Sequence, residues 1–165
     1  MTHLILHCPA FSEERISESN AFAKPDNANH VAFAGNRNPA LAWEGVPANA
    51  ESLALLCCDP DAPSVPDHVN QEGHVISEDL PRVPFYHWLL WDIPVSLNAI
   101  PEGALSQGVT AHGKAVGPTP YGCQGANDYT DWFRGDEAMA GVYGGYDGPC
   151  PPWNDQRVHR YEMTL

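Results

Sequence analysis

Ser52-Leu53-Ala54-Leu55-Leu56-Cys57-Cys58-Asp59-Pro60-Asp61-Ala62-Pro63 is the stretch that decides the fold. Its first seven residues are apolar almost throughout, the pattern of a central strand covered on both faces. Proline donates no hydrogen bond to a β-ladder, so the strand is expected to stop at Asp59, where the chain should leave the sheet. A carboxylate then stands at the end of a buried strand, and burial without partners would be costly for it.

Outward from there, two more strands stand out. Residues 85–93 form a run that ends at Pro94. Period two puts Phe85, His87, Leu89, Trp91 and Ile93 on one face and Tyr86, Trp88, Leu90 and Asp92 on the other. Residues 159–165 alternate cleanly, with His159, Tyr161, Met163 and Leu165 toward the core and Arg160, Glu162 and Thr164 toward solvent. Shorter strands are expected at residues 41–44 and 3–7. No segment has a long 3.6-residue apolar period with caps, and the best helix candidate is one turn around residues 136–139. There is no internal repeat. The connections at residues 64–84 and 101–153 are long for a compact domain, and long loops on a rigid sheet are where binding sites tend to sit.

Composition agrees with a mainly β chain. The 165 residues suit one domain over residues 1–165. Sixteen prolines and 14 glycines break helices and favour strands joined by turns. The formal charge is −13, with 8 basic against 21 acidic residues. Without a basic patch, binding to nucleic acid or general adhesion to anionic membranes is not expected. No stretch approaches a membrane span, and the first residues lack the basic region of a signal peptide. An odd number of cysteines without CxxC reads as reduced thiols. The expected location is cytoplasmic.

Asp59, His87 and the pair His159 and Tyr161 each lie at the edge of an apolar strand. If the strand ends converge, these groups line a small polar hole. Two protonated imidazoles can clamp a phosphate or carboxylate, with Asp59 orienting a ring and raising its pKa. Backbone N–H groups of residues 148–150 could complete an anion nest. Taken singly, each residue has an ordinary explanation: a hydrogen-bonded core histidine, a turn aspartate, a core tyrosine. Walker, HExxH, GxGxxG and GxSxG motifs are absent, so no metal, cofactor or catalytic residue is assigned.

Four blocks carry a resemblance: Asp59-Pro60-Asp61-Ala62-Pro63, Phe85-Tyr86-His87-Trp88, Gly148-Pro149-Cys150-Pro151-Pro152 and His159-Arg160-Tyr161. In this order they resemble the signature blocks of phosphatidylethanolamine-binding proteins, and the aromatic-rich loop is similar to the bacterial, Raf-kinase-inhibitor-like branch. The resemblance implies an all-β sandwich of a large antiparallel sheet and a smaller one, with few short helices. It implies a pocket for a small anion, phosphate or phospholipid headgroup such as phosphorylethanolamine, lined by Asp59, His87, Gly148, Cys150, Pro151, His159 and Tyr161. Asp61, Ala62 and Pro63 would shape the wall, and Tyr146 would sit beside it. It further implies a binding and regulatory protein rather than an enzyme, and a cis bond before Pro63. Two departures stand out. Pro149-Cys150 replaces the Ser-Gly of eukaryotic members, and the chain stops at Leu165 where family chains run on, which implies either truncation or an absent tail and, in both cases, an open pocket. Alternatives are a phosphate-ester hydrolase using Asp59, His87 and His159, or a protein-interaction module docking through residues 64–84 or Trp132 and Phe133. A homodimer is plausible on general grounds.

Overall fold

A computed structural model describes residues 3–11 and 15–165. Among these, the strands are β1 Ile5–His7, β2 Ala23–Asp26, β3 His30–Phe33, β4 Leu41–Glu44, β5 Ser52–Pro63 and β6 Arg82–Pro94. They continue as β7 Ala99–Ile100, β8 Gly113–Lys114, β9 Gly117–Thr119 and β10 Gly122–Gln124, then helix α1 Tyr129–Trp132, β11 Val142–Tyr143 and β12 Glu162–Thr164. Five strands pair antiparallel in the order β12-β5-β6-β10-β9, and three in the order β1-β4-β7. The fold is the all-β architecture expected, a larger antiparallel sheet and a smaller one, with one short α-helix and a 3-10 turn at Pro9–Phe11 among the described residues.

The main core lies between the two sheets. Leu53, Leu55 and Cys57 of β5 and Trp88, Leu90 and Ile93 of β6 face Leu41 and Trp43 of β4 and Ile100 of β7. A second cluster, Phe22, Tyr129, Met139 and Tyr143, lies outside that sandwich. Ser52, Ala54 and Leu56 of β5 are exposed. The strand alternates along its first half, so the expectation that it is covered on both faces is corrected.

Three slips in the β5–β6 ladder do most to shape the molecule. At the first, between the pairs Leu53↔Ile93 and Leu55↔Leu90, β6 spends an extra residue. Asp92 takes φ 52° there, a left-handed conformation that Asp tolerates better than most residues. Period two therefore breaks. Trp91 is turned outward, 43% exposed, while Trp88, Leu90 and Ile93 are all buried. The second slip, between Cys57↔Trp88 and Cys58↔Tyr86, leaves His87 as the extra residue. The third, between Asp59↔Phe85 and Ala62↔Val83, puts Pro60 and Asp61 in a bulge of β5.

That last bulge corrects the expected end of the strand at Asp59. Pro60 falls where no ladder donor is needed, and the Asp61 N–H is taken by the Asp59 carboxylate at 2.7 Å. With its polar groups satisfied, the chain rejoins β6 at Ala62 and Pro63. No peptide bond among the described residues is cis, so the bond before Pro63 is trans, as a strand that stays in its ladder requires. The expected turn of helix at residues 136–139 is a turn closed by the Met139 and Ala140 N–H groups on the Asp136 carbonyl; the helix forms one step earlier, at α1.

The core places a quantitative demand on β5. Leu55→Ala, at a fully buried position, is expected to cost about 2–5 kcal/mol in urea denaturation. Leu56→Ala, on the open face at 39% exposure, is expected to cost roughly 1 kcal/mol or less. Equal losses at the two positions would contradict the orientation of the strand.

Candidate functional site

The bulges bring Asp59 and His87 to one end of the larger sheet, where β12 delivers the third group. His159, three residues before β12, donates from Nδ1 to Asp59 Oδ2 at 2.6 Å and from Nε2 to Asp155 Oδ2 at 3.1 Å. Asp155 in turn receives Arg82 Nη1 at 2.5 Å and Nη2 at 3.0 Å. The result is a buried line of alternating charge, Asp59, His159, Asp155, Arg82. Burial works against a charged His159, but its bonds and attraction to Asp59 and then Asp155 outweigh burial and raise its pKa. For Asp155 burial again opposes charge, and Arg82 leads the groups that nonetheless hold the carboxyl below its ordinary range.

His87 is the opposite case. Its side chain is enclosed by the rings of Phe85, Tyr129 and Tyr161. Burial lowers its pKa, against the pull of the Asp147 carbonyl and of the Asp59 and Asp147 carboxylates. Nδ1 lies 2.8 Å from the Asp147 carbonyl oxygen. That oxygen can only accept, so Nδ1 carries the proton and Nε2 is a bare acceptor. Nε2 has no protein partner among the described residues. The Tyr161 hydroxyl is buried beside the Asp59 carboxylate without a well-formed hydrogen bond to any described group; burial, followed by that carboxylate, holds the phenol far above its ordinary range.

Asp59, His87, His159 and Tyr161 line the polar end of a cavity of ≈ 1100 Å³. Phe22, Phe85, Tyr129 and Phe133 form one wall, Val65, Pro66 and Val69 another, and Phe33 and Trp132 stand at its rim. Phe22 stacks on Tyr129 with ring centroids 4.5 Å apart, and Tyr129 on Phe133 at 5.6 Å. Among the described residues no lysine or arginine lines this cavity. Cys150 does, and burial pushes its thiol up to about 11, so it is no ready nucleophile at neutral pH.

Asp59, Pro63, His87, Cys150, Pro151, His159 and Tyr161 thus meet at one cavity. Asp61, Tyr146 and Gly148 do not line it. Asp61 turns away, its carboxylate bound by Arg160 Nε at 2.9 Å, which lowers its pKa, and by Arg157. Tyr146 is fully buried against Trp88, its hydroxyl donated to Asn20 O at 2.7 Å. Gly148 is buried behind the wall, where a Cβ would meet Asn20 O at 2.0 Å. Its N–H goes to Asn36 Oδ1 at 2.8 Å and its carbonyl accepts the Tyr129 hydroxyl. The expected anion nest at residues 148–150 therefore lacks that donor. The expected clamp of two protonated imidazoles is corrected likewise: both His159 N–H groups are committed, and His87 is the ring that burial keeps neutral.

Sequence reasoning missed the support behind His87. The Asp147 carboxylate accepts from Asn36 Nδ2 at 2.7 Å, Lys114 Nζ at 2.5 Å and Asn127 Nδ2 at 2.8 Å. Its only sequence signal was a place within the Gly/Pro-rich run. Among the described residues no three His, Cys, Asp or Glu side chains are placed to share a metal ion.

Comparison with known proteins gives a consistent match. The family model for phosphatidylethanolamine-binding protein matches residues 14–165. A UPF0098 protein of Methanothermobacter thermautotrophicus is 34% identical over 79% of this chain and 59% of its own length. A UPF0098 protein of Pyrococcus abyssi is 30% identical over 93% of this chain and 66% of its own. This chain therefore spans about three fifths to two thirds of these relatives. The crystal structure of Escherichia coli YbcL, described as a member of the mammalian PEBP family, has the same fold, with a TM-score of 0.58 and 24% identity over 97% of this chain and 73% of that one.

The charge line makes a pH prediction. A histidine whose folded pKa is raised adds stability in full below its unfolded value, near 6.5, and loses it as pH rises through the folded value. The stability difference between wild type and His159→Gln, measured by urea denaturation, is expected to shrink from about pH 6 to about pH 9. A difference that grows with pH would mean that His159 is neutral in the fold.

Proposed function

The chain belongs to the phosphatidylethanolamine-binding protein family, and on that premise we propose that its cavity reversibly binds a small phosphate-bearing ligand, either a free phosphate compound such as phosphorylethanolamine or the headgroup of a phospholipid. The observation that carries the reading is the pairing of one open polar acceptor, His87 Nε2, with the buried Tyr161 hydroxyl beside Asp59, at the polar end of a largely apolar cavity. Apolar cavities with a few convergent polar groups are the usual form of small-ligand sites. The phosphate would sit at His87 and Tyr161 and the organic remainder along Phe22, Phe85 and Phe133. Asp59 and His159 would shape the floor without contacting the phosphate through free donors. The reading is binding rather than catalysis: the Cys150 thiol is held protonated by burial, and both His159 nitrogens are committed to carboxylates.

A second reading is a regulatory protein of the kinase-inhibitor kind, docking on a protein partner. Phe33 at 61% and Trp132 at 44% exposure on the cavity rim favour it, since exposed aromatics are enriched at interfaces. A cytoplasmic setting belongs to both readings. No helix among the described residues is long and apolar enough to cross a membrane.

The test is calorimetric titration of the chain with inorganic phosphate and phosphorylethanolamine, and co-sedimentation with phosphatidylethanolamine vesicles. Binding is expected to weaken roughly tenfold or more in His87→Ala, the equivalent of about 1.4 kcal/mol. Affinity for phosphorylethanolamine is expected to fall as pH rises past the monoester's second pKa, about 6. The bound state needs a proton shared between ring and phosphate, which a neutral ring and a monoester dianion lack. Vesicle binding without binding of the free compounds would assign the lipid. Phosphate binding untouched by His87→Ala would overturn the placement. The double variant Phe33→Ala, Trp132→Ala tests the docking reading: it should lose a kinase-domain partner and keep phosphate affinity within about twofold.

A further inference from the structure

The cavity has one wall that belongs to neither of the large layers. Strands β2 and β3 pair with each other and with no other strand among the described residues. From this hairpin Ala23, Asn29, Val31, Ala32 and Phe33 line the cavity. No residue from 23 to 35 is buried, whereas Phe22 and Asn36 on either side of it are 2% and 0% exposed. A segment with little burial between two anchored ends is a part of a structure that opens at low cost. The hairpin would move as a unit. The Asp26 carboxylate closes its tip by accepting the Ala28 N–H at 3.0 Å and the Asn29 N–H at 2.8 Å. At its root the Pro149 carbonyl accepts the Phe22 N–H at 3.0 Å, and the Phe22 carbonyl accepts the Ala34 N–H at 2.9 Å.

The wall across from it is fixed. Val65, Pro66, Val69 and Asn70 line the cavity on that side. Asn154 ties their loop down: its Nδ2 donates to the carbonyls of His68 at 2.8 Å, Gln71 at 3.3 Å and His74 at 3.1 Å, and its Oδ1 takes the Asn70 N–H at 3.0 Å. His30 joins the two walls. Its Nε2 donates to Glu72 Oε1 at 2.5 Å, and its ring lies flat on Trp153, with centroids 3.9 Å apart and planes at 9°. The Glu72 side chain is 80% exposed, and exposed pairs of this kind hold weakly enough to break and re-form. His30, Glu72 and Trp153 are all absent from the cavity lining.

We propose that the β2–β3 hairpin is a hinged wall of the ligand cavity, latched by His30 to Glu72 and Trp153, and that this latch governs how fast chain-bearing ligands enter and leave. A small headgroup compound passes the mouth at Phe33 and Trp132 with the hairpin in place. A ligand with an apolar chain needs the hairpin to swing on its buried ends. The latch touches both walls and no ligand, so it biases open and closed forms alike with the cavity empty or filled. It therefore sets rates and leaves affinity unchanged. The proposal rests on the phosphate-binding reading above and adds control of passage to it.

The experiment compares wild type with His30→Asn and Glu72→Gln. Asn tolerates the left-handed backbone that His30 adopts at φ 63°, and Glu72 is exposed, so both variants keep the fold. The probes are phosphorylethanolamine, followed by calorimetry, and a short single-chain lysophosphatidylethanolamine below its micelle concentration, followed by stopped-flow tryptophan fluorescence. In His30→Asn the association and dissociation rates of the lysolipid are expected to rise together by about threefold or more, the worth of one exposed ion pair and one ring stack. Glu72→Gln should show a smaller rise of the same kind. Lysolipid and phosphorylethanolamine affinities should both stay within about twofold of wild type. Unchanged rates, or a weaker affinity through dissociation alone, would overturn the latch and leave phosphate binding standing. Binding of phosphorylethanolamine without the lysolipid would do the same, and binding of neither would overturn both.

Discussion

The pairing of β5 with β6 is the constraint on which the rest depends, and its irregularities matter more than its regular parts. A perfectly registered ladder would send alternate residues to opposite faces and would scatter Asp59 and His87 by parity alone. The slips between Cys57/Cys58 and Asp59/Ala62 re-aim both side chains without ending either strand. The proline that would have broken a straight strand sits where the bulge needs no donor, and the carboxylate that lines the cavity also satisfies the one N–H the bulge frees. Site and strand continuity are thus achieved by the same residue.

Two histidines that feel the same carboxylate carry opposite electrostatics. His159 is bracketed by Asp59 and Asp155, and Arg82 closes the line. In sum these four groups are neutral, which is how charges survive in a buried place. His87 receives no carboxylate contact, only a carbonyl, and desolvation then decides its state. Placing two imidazoles near one aspartate in sequence space suggests a doubly charged anion clamp. The protein instead spends the available carboxylates on one ring and leaves the other polar but uncharged.

The parts of the fold carried by composition and alternation were legible. Residues 41–44 form β4 as read, and His159, Tyr161, Met163 and Leu165 face inward while Arg160, Glu162 and Thr164 face outward. What period two could not show is where it breaks. Ile93 shares a face with Trp91 by counting and joins Trp88 and Leu90 in the core in fact, because Asp92 takes a conformation that no hydrophobic pattern records. The meeting of Asp59, His87 and His159 was legible only through the resemblance of four blocks, since His159 is 100 positions from its partner. The resemblance puts Asp61 in the wall, Tyr146 beside the pocket and Gly148 in its lining, and a match of sequence blocks does not say which way a side chain turns at a bulge.

The least legible part is also the one that sets the chemistry. Asn36 reaches Asp147 across 111 positions, Lys114 across 33 and Asn127 across 20, and none of the three lies in a periodic pattern. Each is polar, each is on a loop or a two-residue strand, and each would pass as surface. Their burial is tolerable only because every member is paired, and a network of that kind is rigid for the same reason. Rigidity at Asp147 fixes a carbonyl, the carbonyl fixes a proton on Nδ1, and the proton decides whether the cavity offers a donor or an acceptor. The identity of the histidine alone leaves that choice open; the residues two steps behind it make it.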